Sequence, residues 1–270
     1  MIPQPSTAEK TVRVRWLGRV PYPEAWDLQR RLHSGSDNHL LLLEHPPIYT
    51  IGRSGSKSNI VMTPDDLDAD VLKVNRGGDI TFHGPGQVVG YPILDVAGRR
   101  GGGMADTAAY VASVESYLID VLDALGVSAG RIDRYPGVWV GAAGANPRKI
   151  AAIGVRLTRG RSMHGFALNV DVDLDRFSRI VPCGITEYGV TSLAAEGVGA
   201  TMEDVVGLLS ERAGRLLDGA VTDVAGEVFR PREQDLSAFS RGLGPGEPIS
   251  RKAPRDREVA SVESSTGVPV

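Results

Sequence analysis

At 270 residues, 41% hydrophobic and with a net charge of −3, the chain has room for a sizeable core and lacks the positive excess of a nucleic-acid-coating protein. No apolar run reaches the roughly 18–20 residues of a membrane helix, and the first residues lack the basic patch and apolar run of a signal peptide, so a cytoplasmic protein away from membranes is expected. A single cysteine excludes an internal disulfide and fits a reducing compartment.

In chain order, Thr11 to Leu17 alternates polar and apolar residues and predicts a half-buried strand. Pro23 opens a helix to about His33. His39 to Glu44 contains four consecutive leucines and predicts a buried strand, with a second extended piece from His45 to Arg53. Further strands are predicted at Val71 to Asn75 and Val88 to Val96. The clearest helix runs from about Asp106 to Leu125, where Ala108, Val111, Val114, Leu118, Val121, Leu122 and Leu125 recur at steps of three and four before Gly126. Val138 to Val140, Ile150 to Leu157 and Met163 to Val170 read as strands. A second helix covers Met202 to Leu217, and Thr201 with Asp204 forms a loose capping box. Helices and strands mix without a steady βαβ rhythm, so the class is α+β. One domain is expected over residues 1–230, with its core at about 12–217. The proline-, glycine- and serine-rich residues 231–270 read as a disordered tail.

Several familiar signatures fail. Ser56, rather than glycine, precedes Lys57 in the one stretch that resembles a phosphate loop. The Gly84, Gly86, Gly90 series has one residue too many for the dinucleotide fingerprint. No serine lies in a nucleophile elbow. His33, His39, His45, His83 and His164 are scattered, which makes a metal site unexpected.

Three segments remain. Arg76-Gly-Gly-Asp-Ile-Thr-Phe-His83 runs on to Gln87, and its paired glycines suit a tight hairpin turn as well as a backbone that cradles a ligand. Lys149 stands at the mouth of an apolar run ending in Gly154, as a solvated strand-end lysine or as a functional one. Only five of the 30 basic residues are lysines. Cys183 lies between Pro182 and Gly184, in a turn rather than on an apolar helix stripe. A lone cysteine is commonly a small buried hydrophobe, and this placement favours an accessible thiol.

The ordered motifs R-G-G-x-x-T-x-H-G-P-G-Q, K-I-x-x-I-G, H-G-x-A-L-N and P-C-G-I together resemble the lipoyl(octanoyl) transferases, over about Val12 to Leu217. That resemblance implies a biotin/lipoate protein ligase-like catalytic domain, a mixed sheet flanked by helices. It implies Cys183 as the acyl-carrying nucleophile and Lys149 as its partner. A substrate pocket would be lined by Arg76, Gly77, Gly78, Asp79, Ile80, Thr81, Phe82 and His83, by Ala152, Ile153 and Gly154, and by Gly165, Phe166 and Ala167. The donor would be octanoyl-acyl carrier protein. The acceptors would be lipoyl domains of 2-oxoacid dehydrogenase complexes and the glycine cleavage H protein. No cofactor, metal or ATP is implied, and a monomer is expected. Two departures stand out: the Gly141 to Pro147 turn is longer than usual, so Lys149 is expected to settle only on substrate binding if that turn moves, and the tail is an addition.

A free thiol titrates near pH ~8.5, and a neighbouring ammonium lowers that value. Lys149 is then expected to take a proton from the incoming amine, and the N–H groups near Gly77 and Gly78 to stabilise the oxyanion. A Cys–His pair using His83 or His164 is the rival arrangement. An ATP-dependent ligase, a protein that only docks on lipoyl domains, and a cysteine hydrolase are the rival functions.

Overall fold

The computed structural model describes residues 11–62, 67–96, 106–181, 188–217 and 221–224. Cys183 and the 231–270 tail lie outside them. The alternating N-terminal segment forms β1 (Thr11–Arg19), and α1 (Tyr22–His33) crosses over to β2 (Asn38–Glu44), which runs parallel to β1. Pro21 caps α1 and Pro23 occupies its first turn, where no backbone N–H is needed.

A small sheet follows, built from β3 (Ile48–Ile51), β4 (Asp70–Lys73) and β5 (Ile80–His83) in the order β4-β3-β5. The chain then adds β6 (Gln87–Ile93), α2 (Thr107–Ala124), β7 (Ala129–Ile132), β8 (Tyr135–Val140), β9 (Arg148–Thr158), β10 (Arg161–Asn169), β11 (Gly189–Val190), α3 (Met202–Glu211) and β12 (Val221–Val224). The large mixed sheet has the order β12-β1-β2-β6-β10-β9-β8-β7, with β11 paired to β9 outside that path. This is the α+β, mixed-sheet architecture that the sequence predicts.

The leucine run explains how the large sheet is covered. Leu40 and Leu42 join Val114, Leu118, Val121 and Leu122 of α2 and Val205 and Leu209 of α3 in the main core. Leu41 and Leu43 are buried as completely. The two-residue strand period turns them to the other face, where α1 packs on β6 and β10. Each buried leucine contributes roughly 1.5–3 kcal/mol relative to an exposed one. A second, smaller core gathers Tyr49, Ile51, Phe82, Phe177 and Ile180 around the three-stranded sheet.

Helix ends follow the side chains available. Asp106 accepts hydrogen bonds from the N–H groups of Ala108 and Ala109 at the start of α2. Thr201 and Asp204 close a capping box in both directions at α3. That last helix stops at Glu211, earlier than expected, and a separate 3₁₀ turn, Ala213–Leu217, sets Ala213 and Leu216 against the core. β5 follows directly on the segment with the paired glycines, where Gly78 takes the left-handed backbone (φ 80°). Among the described residues no helix is long and apolar enough to cross a membrane.

Candidate active site

The glycine-containing motifs, separated in sequence, meet because β6, β10 and β9 are neighbours in the sheet. Gly77 N–H donates to the Val155 carbonyl at 2.9 Å, laying the Arg76 loop across β9. Gly154 is what permits this approach: a Cβ there would meet Arg76 Cδ and the Gly77 carbonyl oxygen at 3.0 Å. Gly165, paired with Gly154 in the β9–β10 ladder, likewise leaves room for the Gly90 carbonyl.

Between these segments lies a mainly apolar cavity of about 420 Å³, within the size range of small-molecule sites. Its wall includes Arg76, Gly77, Gly78, Asp79, Ile80, Thr81 and His83, then Ala152, Ile153 and Gly154, then Gly165, Phe166 and Ala167, together with Lys149. Phe82 is the exception among the expected pocket residues. β5 turns it away from the cavity into the small core, where its ring lies 5.1 Å from Tyr49 and 5.7 Å from Phe177. Cys183 lies outside the described residues.

The wall is wired by buried hydrogen bonds. Arg76 donates to the Thr50 carbonyl at 2.7 Å and to Thr50 Oγ1 at 3.0 Å. Thr50 Oγ1 therefore offers its own hydrogen to His83 Nε2, 3.3 Å away. His83 Nδ1 donates to Gln87 Oε1 at 2.8 Å, Gln87 donates to Asn169 Oδ1, and Asn169 donates to the Thr191 carbonyl. Thr191 N–H in turn donates to the Lys149 carbonyl at 3.0 Å. His164 has a similar fate. Asn75 Oδ1, 2.7 Å away, can only accept, so His164 Nε2 carries the hydrogen and Nδ1 accepts from Tyr22. The left-handed backbone of His164 (φ 57°) presents its N–H to Gln29 Oε1.

Burial keeps these rings neutral. It pushes His83 well below the usual histidine range, with His45 as the next cause. It also pushes His164 down to about 3, helped by Arg76 and Arg156, and His45 down to about 4. Tyr22, buried beside them, is pushed up to about 12.

Lys149 sits in a different chemical setting. It lies in β9 opposite Trp139 of β8, next to a bulge between Val138 and Trp139 that re-aims the side chains. Its ammonium donates to the Pro136 carbonyl at 3.2 Å and stands 4.7 Å from the centroid of the Trp139 ring. The strand ladder, including the parallel pairing of Val190 with Lys149, holds its backbone after the Gly141 to Pro147 turn. Tyr188, the first described residue after the cysteine segment, packs edge-on against Trp139 and Tyr135. Arg148 reaches the other way, to the Glu196 carboxylate at 2.6 and 2.5 Å. Sequence reasoning did not single out Tyr22, Tyr91, Tyr135 or Pro136, all of which line the cavity. No local pattern marks them, since they arrive from three separate elements.

The fold is shared with a bipartite lipoate protein ligase from Thermoplasma acidophilum, at a TM-score of 0.63 and 14% identity over 89% of this chain and 99% of that one. A family model described as the lipoyl protein ligase A/B catalytic domain matches residues 21–213. An octanoyltransferase of Mycolicibacterium gilvum is 46% identical over 218 residues, 78% of this chain and 87% of that one. Another, of Solibacter usitatus, is 45% identical over 213 residues, 76% and 92% of the two chains. The chain belongs to the lipoyl(octanoyl) transferase family.

Proposed function

We propose that this protein transfers an octanoyl group from octanoyl-acyl carrier protein to the lysine of a lipoyl domain, through a thioester on Cys183, without ATP. The acceptors are the lipoyl domains of 2-oxoacid dehydrogenase complexes and the glycine cleavage H protein, and the enzyme works in the cytoplasm as a monomer. The observation that carries this reading is a lysine on the wall of a mainly apolar cavity that the three glycine-containing motif segments also line. An apolar wall suits an eight-carbon chain, since each buried methylene contributes about 0.8 kcal/mol.

In this cycle the Lys149 ammonium favours the Cys183 thiolate, which adds to the donor carbonyl. The pantetheine sulfur leaves and takes a proton from Lys149. The neutral Lys149 amine then accepts a proton as the acceptor lysine attacks the Cys183 thioester, and Cys183 leaves as thiolate. Exchange of one thioester for another is nearly neutral, and amide formation draws the sequence forward. Against a Cys–His pair stands the hydrogen bonding of the candidate histidines: both ring nitrogens of His83 and of His164 are already engaged.

Intact-protein mass spectrometry after mixing with octanoyl-acyl carrier protein tests this directly. The expected result is one octanoyl mass gained by the wild type, none by Cys183→Ala, and discharge on adding a lipoyl domain with no nucleotide present. An adduct that persists in Cys183→Ala, or transfer that requires ATP, overturns it.

A further inference from the structure

We infer that Glu115, on α2, is a positioning residue for Lys149 and acts through a single peptide group; the inference rests on Lys149 being the partner of Cys183. Glu115 is buried. Its Oε1 accepts a hydrogen bond from Gly137 N–H at 3.0 Å. The Pro136 carbonyl, which accepts from Lys149 Nζ at 3.2 Å, belongs to that same peptide unit. A trans peptide is planar, with its N–H and C=O pointing in opposite directions. The carboxylate therefore holds one end of a rigid plate whose other end holds the ammonium.

Two effects follow from that geometry. Fixing the N–H fixes the direction in which the carbonyl oxygen meets Lys149. A carboxylate on the N–H also polarises the peptide and makes its oxygen a stronger acceptor for a cation. The surroundings reinforce the arrangement. Arg131 Nε holds the other carboxylate oxygen at 2.8 Å, and its Nη2 donates to the Ala112 carbonyl and to Ser116 Oγ, tying the carboxylate to α2. Gly137 has φ 131°, and a Cβ there would meet the Ala151 carbonyl oxygen at 2.6 Å and Lys149 Cε at 3.2 Å. The lysine stem thus lies against the one residue that lets the plate adopt this orientation. A carboxylate needed only to satisfy Arg131 has no use for the Gly137 bond.

The test is the rate at which iodoacetamide alkylates Cys183, the chain's one cysteine, in wild type, Glu115→Ala, Lys149→Ala and the double variant. Glu115→Ala is expected to slow alkylation about tenfold, the equivalent of one unit of thiol acidity. In the Lys149→Ala background the same change is expected to do nothing further. Glu115→Gln has one acceptor oxygen for two donors, Gly137 N–H and Arg131 Nε, and is expected to recover only part of the rate. Should Glu115→Ala fail to fold, Glu115→Asp keeps the charge but withdraws the oxygen, and it too is expected to slow the reaction. Equal losses in both backgrounds, or a wild-type rate in Glu115→Ala or Glu115→Asp while Lys149→Ala is slow, overturns the positioning role alone. A wild-type rate in Lys149→Ala overturns the cysteine–lysine reading, and this inference with it.

Discussion

Lys149 and Trp139 face each other across the β8–β9 ladder, and the ammonium nitrogen stands 4.7 Å from the centroid of the indole ring. Contacts of this kind contribute about 0.5–2 kcal/mol, more where water is excluded, and Trp139 is buried. Trp139→Leu retains apolar bulk but removes the ring quadrupole. Octanoyl loading, followed by mass against time, is expected to slow about three- to thirtyfold, while Lys149→Ala abolishes it and His83→Ala only weakens it. A normal rate in Trp139→Leu would mean that the ring merely fills space.

Gly90 leaves room for the Phe166 ring on the cavity wall. A Cβ at that position would lie 2.0 Å from the Phe166 ring, which lines the cavity. Gly90→Ala must displace that ring, at a cost of about 1–3 kcal/mol from overpacking. The expected outcome is a lower melting temperature and a preference moved towards shorter acyl donors. Competition between hexanoyl and octanoyl donors reads the preference, and an unaltered ratio would place the chain elsewhere.

Phe82 separates stability from substrate contact. Its ring belongs to the small core with Tyr49 and Phe177, not to the cavity wall. Phe82→Ala is expected to cost about 3–5 kcal/mol in urea unfolding. At a temperature where the variant remains folded, KM for the octanoyl donor is expected to stay near the wild-type value. A large rise in KM would put Phe82 back in the pocket.

Acid weakens the fold through the buried histidines. His39, His45 and His164 are pushed down to about 4, 4 and 3, in each case first by burial, against about 6.5 when unfolded. Between those values the unfolded chain binds more protons than the folded one, so stability rises with pH there. The stability these neutral rings allow is complete above about pH 6.5 and is lost as pH falls towards 4 and 3, by up to about 1.4 kcal/mol per pH unit per ring. Urea midpoints at pH 7.5, 5.5 and 4.5 check this. A flat profile would show that the rings are hydrated.

Much of this protein was legible in its sequence because the signals are local. The leucine run, the heptad-like spacing on α2, the Thr201 cap and the four ordered motifs each depend on neighbours a few residues apart. Composition and pattern alone determined the α+β class and singled out Arg76 to His83, Lys149, Gly154 and Cys183. Tertiary structure decided what Arg76 to His83, Lys149 and Gly154 touch. β9 had to lie between β8 and β10 before Lys149 could rest on Trp139, and Gly154 is bare only because Arg76 crosses above it. Phe82 sits within the motif, yet the small core claims its side chain through a strand period that the glycine pair conceals. Nothing in the local sequence sets Glu115 apart on its helix. Its bond to Gly137, 22 residues away, exists because α2 packs on β8, and no one-dimensional pattern records a contact made by packing.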